Sequence, residues 1–422
     1  MSPPKPRRRW LQFRLRTLLI AVTLVALLLG YVAWEREQCR RGRQALNMLV
    51  QKPPGEYSWP TSDRPGWLKY LLGDNQFRYI KSAALDGDSI TDFDLRQLAA
   101  LPNLTEVEIY APNVTDQAVL HLRGLKQMEK FSFVFNREVT GECWDIFGEW
   151  RSLSELSLRT THFGDNDLPK LRLLTNLKEL CLANTRITDA GLEKISSLKT
   201  LESLDLSLND VTDAGLPHIS HLTNLRSLDL SATKIMGPGL IHLAALPKLE
   251  ALDIYRSQIT DDGLAPLASL TNLKSLKLDV TQVTDAGLAH LSSLTNLESL
   301  TMSTTKIADA GLAHLAGLKN LQHLQLAWTK VSDDGLVHLS RMTNLKRLEL
   351  QGTKVTDAGL ASLSAMINLE SLDLSNTKIS DAGLRNLKNM TNLRHISTGQ
   401  TDVTNKGVRE LKALLPRTIV NN

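Results

Sequence analysis

The chain has 422 residues, 49 Lys plus Arg against 45 Asp plus Glu, a formal net charge of +4 and three cysteines. Ten basic and two acidic residues fall within residues 1–43, so the rest of the chain is weakly acidic, which argues against nucleic-acid binding by the body. Cys39, Cys143 and Cys181 lack metal-ligand spacing and are too few for a disulfide framework.

Residues 1–16 read as a basic cytoplasmic tail, in which Lys5, Arg7, Arg8, Arg9, Arg14 and Arg16 stand without an acidic neighbour. Residues 17–34 are uncharged and mostly apolar. As a helix this run spans roughly 27 Å, about the thickness of a bilayer core, and it predicts a transmembrane signal anchor. A cleaved signal peptide is the alternative, but Tyr31 stands where an A-x-A-like cleavage site before residue 34 wants a small residue. Cys39 follows "WEREQ", which also disfavours a lipid-modified N-terminus. The heavier positive flank precedes the span, so the N-terminus is expected in the cytoplasm and the remainder on the extracytoplasmic side. Residues 35–63 read as a polar, turn-rich juxtamembrane spacer. Residues 64–79, with Trp67, Leu68, Leu71 and Leu72 in an apolar stripe, read as an N-terminal cap.

A 24-residue text fills residues 80–404. Ile187, Val211, Ile235, Ile259, Val283, Ile307, Val331, Val355, Ile379 and Val403 each stand 24 residues after the last. Such a period marks a stacked array. In the unit at 177–200, LKELCLANTRITDAGLEKISSLKT, Leu180 and Leu182 alternate with polar or small residues as in a strand with one buried face. Ile187, Leu192 and Ile195 follow at turn or helix spacing. One unit cannot bury its apolar edge alone, so the units must stack into an α/β solenoid, with a parallel sheet inside the curve and helices outside. Strand pairs from Leu85 to Ile396/Thr398 give fourteen units, with one extra residue between Val114 and Val139.

Several positions recur for stated reasons. The glycines at 191, 215, 239 and onward are predicted to allow close helix packing. Asp189, Asp213, Asp261, Asp285, Asp309, Asp333, Asp357 and Asp381 are predicted to cap helix starts, not to catalyse. Thr185, Thr233, Thr281, Thr305, Thr329, Thr353, Thr377 and Thr401, with Asn209 and Ser257 as variants, are predicted to bond to the turn and form an internal ladder. The interruption "NREVTGECWDIFGEW" gathers Cys143, Trp144, Phe147 and Trp150, read as filler of a wider coil, with an exposed docking patch as the alternative. Residues 405–422 read as a C-terminal cap, where Leu411, Leu414 and Leu415 cover the last coil and Pro416 stops the helix.

Alternation places two sets of candidate partner-binding residues on the concave face. Asp205, Asp229 and Asp253 occupy one position in three successive units, about 5 Å apart by strand spacing, where a cation or basic partner would relieve their repulsion. Solvated surface is the competing reading. Tyr255, Arg256, His323, Gln325, Trp328, Arg347 and Glu349 combine residue types that anchor interfaces. Tyr255 and Trp328 lie three units apart, so only a macromolecular or extended ligand could touch both. His218, His242, His290, His314 and His338 share a helix position, but outer helices stand too far apart for one metal ion. No zincin, Walker A, nucleophile-elbow or Rossmann signature occurs, so no catalytic residue and no cofactor are expected.

The text L-x-x-L-x-L-x-x-T-x-I-T-D-A-G-L-x-x-L resembles a leucine-rich repeat, of the class whose units end in "ITDxGLxxL". It is similar to the cysteine-containing repeats of F-box proteins and to ribonuclease-inhibitor-like horseshoes, and closest to 24-residue repeats of bacterial membrane-anchored proteins. Threonine replaces the ladder cysteine of the F-box type, and an apolar span stands in place of an F-box, so a ubiquitin-ligase role is not implied. The resemblance implies a general recognition surface. The expectation is a scaffold held in the lipid bilayer by residues 17–34 that recognises a protein partner on its concave face. A binder of envelope polysaccharide is the alternative, and an enzyme or enzyme subunit the weakest reading.

Overall fold

The computed structural model describes residues 8–50, 57–58, 80–101 and 103–421. A short strand, β1 (Tyr57–Ser58), pairs antiparallel with β2 (Ser82–Asp86) and closes the first edge of the sheet. From β2 onward, β3 (Glu106–Tyr110), β4 (Lys130–Val134) and β5 (Glu155–Ser157) to β15 (His395–Ser397) follow in chain order, each parallel to the last. Leucine stands on leucine in this register, as in Leu204↔Leu228 and Leu228↔Leu252. A further strand, β16 (Ile419–Asn421), sets Val420 against Ile396. The predicted cap therefore holds one more strand than the sequence reading gave it. After Pro416 ends the helix region, the β-branched run Thr418, Ile419, Val420 joins the sheet.

Behind the sheet each coil returns through one or two short turns of α- or 3₁₀-helix, such as Asp189–Ile195 and Pro238–Ala245. One coil shows why stacking is required. Leu204, Leu206, Val211, Leu216 and Ile219 are all at most 1% exposed, and they belong to one apolar cluster running from Ile80 to Leu415. Each such side chain contributes roughly 1.5–3 kcal/mol when taken from water, but only with a neighbouring coil to cover it.

The extra residue of the third coil lies between Phe133 and Val139, where Asn136 donates to Ala111 O at 2.7 Å and Val114 O at 2.8 Å, and beyond it the coil closes on an aromatic knot. Cys143, Trp144, Phe147 and Trp150 are fully buried. Trp144 stacks on Phe147 at 5.5 Å and meets Phe133 and Phe163 edge-on at 6.0 and 5.9 Å. Filler is the reading the structure supports; these residues form no docking patch.

The recurrent polar residues act differently from the sequence expectation. Each aspartate reaches forward to the next coil instead of capping its own helix. Asp189 accepts from Thr212 N–H at 2.8 Å and from Thr212 O–H at 2.6 Å, and Asp333 does the same for Thr356 at 2.7 and 2.6 Å. The threonine is the helix cap: Thr212 Oγ1 also accepts from Ala214 N–H. One hydroxyl thus ties two coils together. The glycines are required by the same contact, since a Cβ on Gly311 would fall 2.5 Å from Asp285 Oδ1.

The predicted threonine ladder is mostly local. Thr233, Thr281 and Thr329 donate to the carbonyl three residues back in their own turn. Asn209 reaches across, accepting from Thr185 and Ile187 and donating to Leu182 O at 2.6 Å, and Asn136 at the equivalent place donates to Ala111 O. The regular inter-coil amides are elsewhere: Asn272, Asn296, Asn320 and Asn344 of the "NL" text each donate to a carbonyl 25 residues back.

At the ends, Leu411 and Leu415 are buried while Leu414, the last helical residue, is 50% exposed and does not serve the cap. The first helix, α1 (Arg8–Val50), continues through the first half of the predicted spacer. Residues 35–50 lack proline and are rich in Glu, Arg, Gln and Leu, which favour helix. Ala45 is buried, and α1 packs against the helix Asp92–Leu98 of the first coil. Trp67, Leu68, Leu71 and Leu72 of the predicted N-terminal cap lie outside the described residues. Among the described residues no helix segment is long and apolar enough to cross a membrane. Within the run, the side chains of Thr17, Ala21, Leu28 and Val32 lie outside the described set. Of those described, Leu18, Leu19, Ile20, Leu24 and Leu27 are each more than half exposed.

Candidate functional site

The concave sheet presents two groups of polar side chains, and the coil order decides which residues can meet. Asp205, Asp229 and Asp253 stand in register on three adjacent strands. Each carboxylate accepts from the backbone N–H two residues on, at Ser207, Ser231 and Tyr255 (2.8–3.0 Å). The row is neutralised at its ends. Arg159 lies 3.6 Å from Asp205, and Lys277 donates to Asp253 at 2.7 Å. Asp229, between them, forms no ion pair among the described residues. Burial pushes its carboxyl above the usual range, the hydrogen bonds from Ser231 oppose this, and the charges of Asp253 and Asp205 add to it.

A raised carboxyl pKa makes ionisation a cost of the folded state. That cost is present above the folded pKa and disappears as pH falls through it. Asp229→Asn is therefore expected to raise the unfolding temperature at pH 7, with the gain shrinking as the pH is lowered through the carboxylate range. Thermal scans at both ends of that range measure it, and a lower unfolding temperature at pH 7 contradicts it.

Downstream, His323 and Gln325 of one strand face Arg347 and Glu349 of the next. Gln325 Nε2 donates to Glu349 Oε1 at 2.8 Å, and His323 Nε2 lies 3.4 Å from the same oxygen. The hydrogen bond from His323, against burial and with help from Gln325, holds the Glu349 carboxyl below its usual range. Tyr255 and Arg256 are three strands away, beside the aspartate row, so the seven predicted residues form two groups instead of one patch.

Trp328 is 51% exposed at the lip of the second group, with φ 58°. Left-handed backbone recurs at this point of nearly every coil, from Phe135 to Gln400, and Gly352 is the glycine in that row. The ring explains it. A Cβ on Gly352 would fall 2.4–2.7 Å from indole atoms of Trp328, so the missing side chain lets the indole lie across the next coil.

Two features escaped the sequence reading. Tyr110 and Phe135, both exposed, pair at 5.1 Å on the lip of early coils. A concave groove of about 490 Å³ crosses β2 to the strand at Ser203–Asp205, with Ser82, Ala84, Ser132 and Ser157 as floor and Glu106, Glu108 and Glu179 along it. Small residues at outward strand positions in three early units were the available signal. Among the described residues no three His, Cys, Asp or Glu side chains gather to hold a metal.

A family model described as "Leucine-rich repeat region" matches residues 144–382, more than half of the chain. The chain belongs to the leucine-rich-repeat family. Among solved structures it is similar to an internalin from Listeria monocytogenes (23% identity, TM-score 0.54, covering 84% of this chain and 93% of that one). It is also similar to a leucine-rich-repeat protein from Leptospira interrogans (19% identity, TM-score 0.57, 78% and 80%) and to a structure described as a TDR receptor (16% identity, TM-score 0.50, 73% and 57%). At these identities the likeness concerns the fold. No curated protein matches the chain. As a leucine-rich-repeat solenoid it has the open sheet of a protein-interaction scaffold, with its backbone groups already paired coil to coil.

Proposed function

We propose that this leucine-rich-repeat protein is a single-pass membrane-anchored scaffold that recognises a protein partner through its concave sheet, and that it is a binding protein and not an enzyme. The observation that carries the binding role is the second concave group. Trp328 is fixed on Gly352 with a face in water, beside a hydrogen-bonded His323–Gln325–Glu349 network and the exposed Arg347. Tryptophan and arginine held in place lose little freedom on binding, which is what interface anchors require. We assign the units to the 24-residue "ITDAGL" subtype on their sequence text.

The anchor rests on a different observation. The large aliphatic side chains described between Leu18 and Leu29 are each more than half exposed and would present a large apolar collar to water. In this reading residues 17–34 lie in the bilayer, the basic tail stays in the cytoplasm, and the repeats face the extracytoplasmic side. Alkaline carbonate extraction tests it: the full-length chain remains in the membrane pellet, whereas recovery in the supernatant rejects the anchor.

The binding role is tested with full-length protein solubilised from membranes as bait. A partner captured by wild type is expected to be lost from the Trp328→Ala, Tyr255→Ala double variant, and to be weakened by Gly352→Ala, which displaces the ring without removing it. Equal capture by all three proteins would move the interface off these residues.

A further inference from the structure

We propose that the lateral edge beside the second concave group binds a linear acidic polysaccharide, with four lysines receiving its carboxylates and Trp328 stacking on one sugar ring. The lysines are Lys306, Lys330, Lys354 and Lys378, one on each of four successive coils and all exposed. Their stems are rooted in one hydrogen-bonded row. The N–H of each donates to a carbonyl of the preceding coil, at 3.1, 2.9, 2.8 and 3.2 Å in that order. Neighbouring ammonium groups therefore start from backbone positions about 5 Å apart, the spacing of paired strands.

Like charges stacked at that interval oppose one another, and an anionic chain relieves all four at once. Asp402 continues the row one coil beyond Lys378, but among the described residues no carboxylate lies within ion-pair distance of any of the four. By contrast, Lys234 in the same row pairs with Asp210 at 2.9 Å. Asp309, Asp333 and Asp357 stand three residues after the lysines Lys306, Lys330 and Lys354, but they are turned toward the next coil. Both oxygens of each accept there, from Ser332, Thr356 and Ser380.

The class of polyanion follows from what surrounds the lysines. Trp328 stands two residues before Lys330, and its ring rests on Gly352 while remaining half exposed. An apolar ring face beside cations suits a sugar that carries a carboxylate. A nucleic acid would use aromatic platforms on successive coils, whereas the equivalent positions hold Val280, Thr304, Gly352 and Asn376. An acidic peptide adding as a strand would need free backbone groups, and along this row the N–H groups are spent between coils.

The test measures binding of the full-length chain in detergent micelles to polygalacturonate, with polyglutamate and neutral dextran as comparison polymers. Polygalacturonate is expected to bind, dextran not, and added salt to weaken the complex. Lys330→Ala, Lys354→Ala should lower affinity about tenfold, the scale of losing charge-assisted contacts, and flatten the salt dependence. Trp328→Ala should weaken polygalacturonate more than polyglutamate. The lysine variant should leave capture of a concave-face protein partner unchanged, which separates this edge from the scaffold reading. No binding of polygalacturonate, equal binding of polyglutamate with no effect of Trp328→Ala, or full affinity in the lysine variant would each overturn the proposal.

Discussion

Gly237→Ala is expected to destabilise the solenoid by roughly 3 kcal/mol or more, because it combines a disallowed backbone with a backbone collision. Gly237 has φ 125°, and a Cβ there would stand 2.2 Å from Gly263 Cα and 2.7 Å from Gly263 O. No rotamer can relieve contact with a main chain. The coil is unusual in its text, "IMGPGL" in place of "ITDAGL", and the carboxylate of Asp213 accepts from the N–H groups of Met236, Gly237 and Gly239 together. Shifting this turn outward would therefore break an inter-coil link as well. Gly317→Ala is the control, since a Cβ there meets nothing within 4 Å. Urea unfolding of both variants measures the effect; a Gly237→Ala loss no larger than that of Gly317→Ala contradicts the geometry.

Trp144→Ala should cost roughly 3–5 kcal/mol, the range for emptying a large aromatic site. The indole is fully buried among three other rings, Phe133 and Phe147 of its own coil and Phe163 of the next, and little backbone is free to collapse into the space. Trp144 Nε1 and Trp150 Nε1 make no hydrogen bond among the described residues, so these rings act by packing alone. Trp144→Phe is accordingly expected to recover most of the loss. A Phe variant as unstable as the Ala variant would show that the indole does more than fill volume.

What the sequence could and could not disclose follows from the same contacts. The 24-residue spacing gave the strands and the coil order, because inward leucines at Leu204, Leu228 and Leu252 must coincide once the units stack. It could not say whether Asp189 serves its own helix or the next. In an array both helices offer the same N–H groups, and only the direction of the side chain separates them. The same ambiguity made Thr233 look like a ladder residue when its hydroxyl closes its own turn. Leu414 shares a helical stripe with Leu411 and Leu415, but it ends its helix and faces out. The strand after Pro416 was hidden by its brevity.

The candidate site was legible to the level of face. Alternation put Asp229, Gln325 and Glu349 on the concave side, and strand counting already separated Tyr255 from Trp328. The support of Trp328 by Gly352 was not visible, since it depends on a left-handed turn in which most coils carry a side chain. Nor was the isolation of Asp229 between Arg159 and Lys277, residues whose reach is set by side-chain direction.

The most direct test of a concave recognition face is site-specific photo-crosslinking in intact membranes. One probe replaces Ser371, on the concave strand beside Arg347, and the other replaces Val337, 56% exposed on an outer helix. The account predicts a discrete cross-linked protein from Ser371 and none from Val337. The same protein captured from Val337 and absent from Ser371 would contradict it.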